Sequence, residues 1–163
     1  MPAQSRAVYP FGDMLALARQ SWLHQMESRL EGAGYPGYRR SDAAALRLLR
    51  RGPAPVGRLG TVLGVTRQAA RKVADGLVQR GYATTERDSH DARQLNVILT
   101  AVGQDYARAI TAVIEELNRE LSLRVDAAQL AAADAVLRAA LFDDGTRQRA
   151  SRLPRPPDGP ADA

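Results

Sequence analysis

The chain has 163 residues, 45% of them hydrophobic and 25% charged, enough to build one domain with a real core. Cysteine is absent, which excludes disulfides, thiol redox sensing and thiolate metal sites, and His24 and His90 are too few for a multi-histidine metal site within one chain. No apolar run approaches the ~18 residues of a membrane span, and Met1 to Asp13 has no signal-peptide core, so a cytoplasmic protein is expected.

The net charge of +5 is modest, but it is unevenly placed. Between Arg39 and Leu99, twelve Arg or Lys face five Asp or Glu, a net +7, whereas Thr100 to Phe142 carries a net −2. The two ends are balanced. A basic excess confined to one segment is the footprint of a phosphate-binding face, although a solvated basic surface would give the same count. Lys72 is the only lysine against 22 arginines, an imbalance better assigned to genome composition than to function.

In chain order, Leu15, Ala18, Trp22, Met26 and Leu30 form a helical stripe over Met14 to Leu30. Three glycines and a proline between Glu31 and Gly37 break it. Ser41 or Asp42 can cap the next helix, whose buried face is Ala45, Leu46, Leu48 and Leu49, and Gly52-Pro53-Ala54-Pro55 ends it. A short helix follows over Val56 to Leu63, stopped by Gly64.

Thr66 is an N-cap candidate for a helix running to Arg80, with Gly81 just beyond its end. Its apolar face is Ala69, Ala70, Val73, Leu77 and Val78, and Arg67, Gln68, Arg71, Lys72, Asp75 and Gln79 lie off that face. The turn Leu63-Gly64-Val65-Thr66 has the length and the glycine of a helix-turn-helix corner. A strand is expected over Tyr82 to Arg87, a turn at Ser89-His90-Asp91-Ala92, and a return strand in which Leu95, Val97 and Leu99 alternate with Gln94, Asn96 and Ile98.

A long helix begins at Thr100 and carries Tyr106, Ile110, Val113, Ile114, Leu117 and Leu121 at helical steps. Asp126 can cap a last helix, with Leu130, Ala133, Leu137, Ala140 and Leu141 facing inward. Residues 143–163 end with five prolines or glycines among the last ten and show no periodicity, so disorder is expected there.

A helix-turn-helix followed by a charged hairpin is a DNA-reading device, one element for the major groove and one for the minor groove or backbone. Asp91-x-Arg93, then Leu99-Thr100 and Gly103, resembles the wing signature of the MarR family of bacterial winged-helix transcription regulators, and the order of elements from Met14 to Leu141 resembles that family too. The resemblance implies a mainly α fold with a small β-wing: a winged helix-turn-helix domain plus N- and C-terminal helices forming a dimerisation domain. The expected divisions are an arm and first dimerisation helix (1–38), the DNA-binding region (39–99), C-terminal dimerisation helices (100–142) and the tail (143–163).

It also implies a homodimer that presents two winged helices to a palindromic operator in double-stranded DNA. Such proteins are commonly repressors relieved by a small aromatic or lipophilic ligand. Thr66, Arg67, Gln68, Arg71 and Lys72 then occupy the exposed N-terminal half of the recognition helix. There Arg can grip guanine and Gln adenine through paired hydrogen bonds. For Arg71 and Lys72, phosphate contact is an equal alternative to base reading. Arg87, His90 and Arg93 lie on or beside the wing. By the resemblance Arg93 enters the minor groove, and Asp91 pairs with it to set its direction; the plain alternative is a surface ion pair of little energetic consequence.

Apolar residues on the three terminal helices exceed what one small winged domain can cover, which marks a partner surface. Five of the eight aromatic residues fall in the first 38 positions. By the resemblance Trp22, Met26 and Tyr38 are candidates to line a ligand pocket, against the reading that Trp22 and Met26 are dimer core. No phosphate loop, nucleophile triad or paired-carboxylate site is evident, and His24 with Glu27 reads better as a surface pair than as an acid–base couple. Neither an enzyme nor a cofactor is expected. The remaining rival is a winged-helix interaction protein that binds another protein and not DNA.

Overall fold

The computed structural model describes residues 10–87 and 94–151. Seven helices and three short strands follow one another in it: α1 (Phe11–Gly32), α2 (Arg40–Leu49), β1 (Ala54–Pro55), α3 (Val56–Leu63), α4 (Arg67–Gln79), β2 (Ala83–Arg87), β3 (Leu95–Leu99), α5 (Ala101–Ser122), α6 (Ala127–Ala139) and α7 (Asp144–Ala150). The mainly helical architecture with a small antiparallel sheet is the expected one.

Local chemistry explains most boundaries. α3 stops at Gly64, whose φ of 67° suits a residue without a side chain. Thr66 caps α4 by accepting from the Ala69 amide at 3.2 Å, and Asp126 caps α6 by accepting from the Gln129 amide at 2.8 Å while Gln129 returns the bond to Asp126. The Thr100 hydroxyl oxygen accepts from the Gly103 amide at 3.0 Å and donates to the Gly81 carbonyl at 2.7 Å, so α5 is capped and tied to the end of α4 by one side chain. Gly103 is required for a different reason: a Cβ there would overlap the Tyr82 carbonyl oxygen, around which the start of α5 is wrapped. The Thr100-x-x-Gly103 spacing thus records a close crossing of α5 over the root of β2.

Four boundaries differ from expectation. α1 starts at Phe11, ahead of Met14. α2 takes Arg39 as N-cap, and Asp42 instead lies three residues in, where it accepts from the Arg39 amide at 3.0 Å. Residues 54–55, expected only to end a helix, form an edge strand, a position that tolerates Pro55 because its missing N–H costs no ladder bond. The expected disorder of 143–163 is corrected over its first part. Asp143 accepts from the Thr146 amide at 2.8 Å to start α7, Arg147 donates to the Leu141 carbonyl at 2.7 Å, and Arg138 donates to the Ala150 carbonyl at 2.9 Å. The proline-rich composition behind the expectation begins beyond α7, in residues 152–163, which lie outside the described residues.

In the sheet β3 is central, with β1 on one side and β2 on the other, both antiparallel. Ala83 pairs with Leu99 and Arg87 with Leu95, so β2 and β3 form a two-stranded ribbon paired along their full length. The buried core runs from Met26 and Leu30 of α1 through α2, α3, α4 and the sheet to Ile110, Val113 and Leu117 of α5. It therefore joins the terminal helices to the central segment. α6 contributes no buried residue to it: Leu130, Ala133, Leu137, Ala140 and Leu141, expected to face inward, are half-buried or exposed in the single chain.

Candidate nucleic-acid interface

α3 and α4 meet at a tight corner. Gly60 of α3 lies where a Cβ would sit 3.1 Å from the Val65 carbonyl oxygen and 3.5 Å from the Ala70 Cβ, so two small residues bring the helices close. The Val65 amide closes the turn by donating to the Gly60 carbonyl at 3.0 Å. Ala70, Ala74, Gly76 and Leu77 bury one side of α4. That burial fixes what the opposite side presents. Thr66, Arg67, Gln68, Arg71 and Lys72 are all exposed, together at the N-terminal half of α4. Arg71 pairs with Asp75 one turn along at 2.8 Å, an exposed (i, i+4) bridge of small energetic value. Two expected members of the apolar face are less buried than the pattern implies: Ala69 is half-buried and Val78 is 37% exposed.

The C-terminal end of α4 is held by a buried ion pair that pattern reading did not identify. Asp42 is fully buried, and Arg80 grips its two carboxylate oxygens at 2.9 and 3.0 Å. The Tyr106 hydroxyl of α5 donates to the same carboxylate at 2.8 Å, and with the Arg39 amide this gives Asp42 four donors. Arg80 also donates to the Gly76 carbonyl at 3.0 Å and the Gly37 carbonyl at 3.1 Å. Its guanidinium lies 5.3 Å from the centre of the Tyr82 ring. Tyr82 in turn stacks on Tyr106 at 4.3 Å, and Tyr35 stacks on its other flank at 5.3 Å. A buried carboxylate is tolerable only when its lone pairs are filled in this way.

The hydrogen bonds that Arg80 donates to Asp42 raise its guanidinium above its ordinary value, against the opposing pull of burial. Burial, followed by the Asp42 charge, holds the Tyr106 hydroxyl protonated well beyond the usual tyrosine range. The network locks α4 to α2 and α5, so the exposed face of α4 keeps a fixed direction relative to the rest of the chain. Asp42 was read as a capping candidate; its partners are 38 and 64 residues away and leave no local signal.

On the ribbon, Arg87 is exposed at the end of β2, paired with Leu95. His90, Asp91 and Arg93 lie outside the described residues. The three residues expected to line a ligand pocket sit in or against the core. Met26 is sealed in the core, 1% exposed, while Trp22 and Tyr38 pack partly buried against it. Trp22, Met26 and Leu30 recur every four residues, and that stripe faces the core. A cavity of about 680 Å³ lies elsewhere, among α1, α2, α3, α6 and α7; Leu15, Leu48, Val62, Leu137 and Leu141 supply apolar wall, and Arg47 and Arg51 supply charge. Among the described residues no cluster of three or more metal-ligating side chains occurs, and no helix is long and apolar enough to cross a membrane.

Residues 37–94 match the sequence model described as the MarR family. Three solved structures illustrate the fold. A probable transcriptional regulator from Pseudomonas aeruginosa is 23% identical with a TM-score of 0.66, covering 80% of this chain and 96% of its own. The PcaV transcriptional regulator from Streptomyces coelicolor, in complex with its natural ligand, is 21% identical with a TM-score of 0.65, covering 85% and 96%. A mutant MarR from E. coli complexed with operator DNA is 21% identical with a TM-score of 0.68, covering 81% and 94%. At these identities the likeness is one of fold. No curated protein matches the chain by sequence.

Proposed function

Because residues 37–94 carry a MarR-family winged helix, we infer that this chain is a DNA-binding transcription regulator that reads its operator with the exposed half of α4. The observation that carries the reading is the division of α4 into a buried face of Ala70, Ala74, Gly76 and Leu77 and an exposed, charged face. Thr66, Arg67, Gln68, Arg71 and Lys72 on that face are of the types that grip base edges and phosphates. The segment's net +7 supplies the long-range attraction. Arg87, His90 and Arg93 carry the second contact from the ribbon, Arg93 in the minor groove with Asp91 orienting it.

The functional unit is a homodimer on a palindromic operator. The support is the large amount of apolar surface left open on the terminal helices: Met14, Leu15 and Leu17 of α1 are 42–59% exposed, and Val136 and Leu137 of α6 are 52% and 44% exposed. A two-fold partner covers such stripes and spaces two recognition helices about one turn of DNA apart. The regulator is a repressor, and its release by a small aromatic or lipophilic ligand is assigned to the cavity of about 680 Å³, a volume suited to one such molecule.

The test is binding of the purified chain to the DNA upstream of its own gene, alongside Arg93→Ala. The wild type should bind with nanomolar-range affinity that falls steeply with salt, and the variant should lose about tenfold or more. Equal binding by both removes the wing assignment. Binding without salt dependence favours the rival, a winged-helix module for a protein partner.

A further inference from the structure

The last described helix ends against the corner of the helix-turn-helix. α7 is pinned back on α6 by the bonds from Arg147 to the Leu141 carbonyl and from Arg138 to the Ala150 carbonyl. This docking lays the Arg149 guanidinium against the backbone of Gly64, at the spot a side chain at that position would fill. Nη2 of Arg149 donates to the Thr146 hydroxyl oxygen at 3.0 Å, which steadies the group on its own helix. Gly64 stands two residues ahead of Thr66, the N-cap of α4.

The guanidinium lies beside the turn that leads into α4. The N-terminal end of α4 carries the positive end of its helix dipole, and Arg67, Arg71 and Lys72 are exposed on the helix that starts there. Asp143 feels the Arg149 charge, but among the described residues no carboxylate comes within ion-pair distance of it. A guanidinium with no ion-pair partner beside a helix N-terminus can take an anion supplied from outside. When a recognition helix lies in the major groove its N-terminal end approaches the duplex, and the nearest external anion there is a backbone phosphate.

We propose that Arg149 is a third DNA contact, separate from α4 and the ribbon: a phosphate clamp delivered by the C-terminal helix beside the α3–α4 corner. It rests on the DNA-reading function proposed above. In the sequence Arg152 and Arg155 follow, so the basic character continues past α7.

The experiment measures binding of the full chain to a duplex from the region upstream of its own gene, and to a scrambled duplex, over a range of salt. Arg149→Gln and Arg149→Lys are compared with the wild type and with Arg124→Gln, which removes a cation just past the far end of α5. Arg149→Gln should weaken binding to both duplexes alike and reduce the slope of log K against log salt by about 0.9 per subunit. Arg149→Lys should keep the slope, since a phosphate accepts either cation, and Arg124→Gln should match the wild type. An unchanged slope for Arg149→Gln overturns the proposal. So does tighter binding, which would make α7 a shield, and so does an equal loss in the Gln and Lys variants, which would make the guanidinium structural. If the wild type binds no duplex in a salt-dependent way, the DNA-reading function itself fails; a wild type that binds while Arg149→Gln is indifferent removes only the clamp.

Discussion

Helices α4 and α6 are both thirteen residues long, and each starts with a side chain bonded to the amide three residues on. In length and capping they are alike. Yet α4 buries Ala70, Ala74, Gly76 and Leu77, while α6 buries nothing within the single chain. The difference lies in what surrounds them. α4 is enclosed by α2, α3 and β2 and anchored at Arg80, whereas α6 leaves Val136 and Leu137 half open to solvent. One helix gets its partners from its own chain, and the other keeps an open apolar stripe, which the proposed dimer would cover. The chain thus buries α4 by itself and leaves the stripe of α6 open.

The sharpest way to break this comparison is to attack the anchor of α4. Asp42→Ala leaves the Arg80 charge part-buried without its partner and should cost about 3–5 kcal/mol, read as a lower urea midpoint of unfolding. A loss under 1 kcal/mol would mean that the ion pair does not hold the helix. Next comes a matched pair of deletions. Leu77→Ala, at a fully buried site, should cost about 2–5 kcal/mol at any protein concentration. Leu137→Ala should cost little in a dilute monomer but lower the unfolding temperature of the assembled protein in a concentration-dependent manner. Identical, concentration-independent effects of Leu137→Ala would argue that α6 has no partner subunit.

The smallest expected effect is a pH dependence. Tyr106 titrates higher in the folded chain than its ordinary value, so above about pH 10 the unfolded state gives up a proton that the folded state keeps. Its stabilising contribution is present below that pH and is lost as the pH rises above it, with a slope of at most about 1.4 kcal/mol per pH unit. Tyr106→Phe should flatten the alkaline limb of a stability–pH curve. An unchanged limb would place the titration elsewhere, with Tyr38 and Tyr82, also raised by burial, the next to remove.

Much of the helix-turn-helix was legible because its signals act over three or four residues. Gly64 after α3, Thr66 before α4 and Thr100 before α5 each mark a turn or a helix start. The exposed set from Thr66 to Lys72 followed from helical periodicity alone, since burying one side of α4 exposes the other. The strand at Ala54–Pro55 was not legible, because a two-residue edge has no period and proline argues against it. The pocket candidates could not be resolved from sequence for a related reason. Trp22 and Met26 sit on an apolar stripe, and a stripe does not say whether it faces a core or a cavity.

What the amino-acid order determined by itself is the succession of helices, the corner between α3 and α4, and which side of α4 carries charge. Those features depend on neighbours close in the chain. Only the tertiary structure decided that Asp42 meets Arg80 and Tyr106, that Met26 is sealed while Leu137 is open, and that Arg149 rests on Gly64. Such contacts join residues tens of positions apart, and their energies depend on burial and on the path of the backbone between them, neither of which a local pattern encodes.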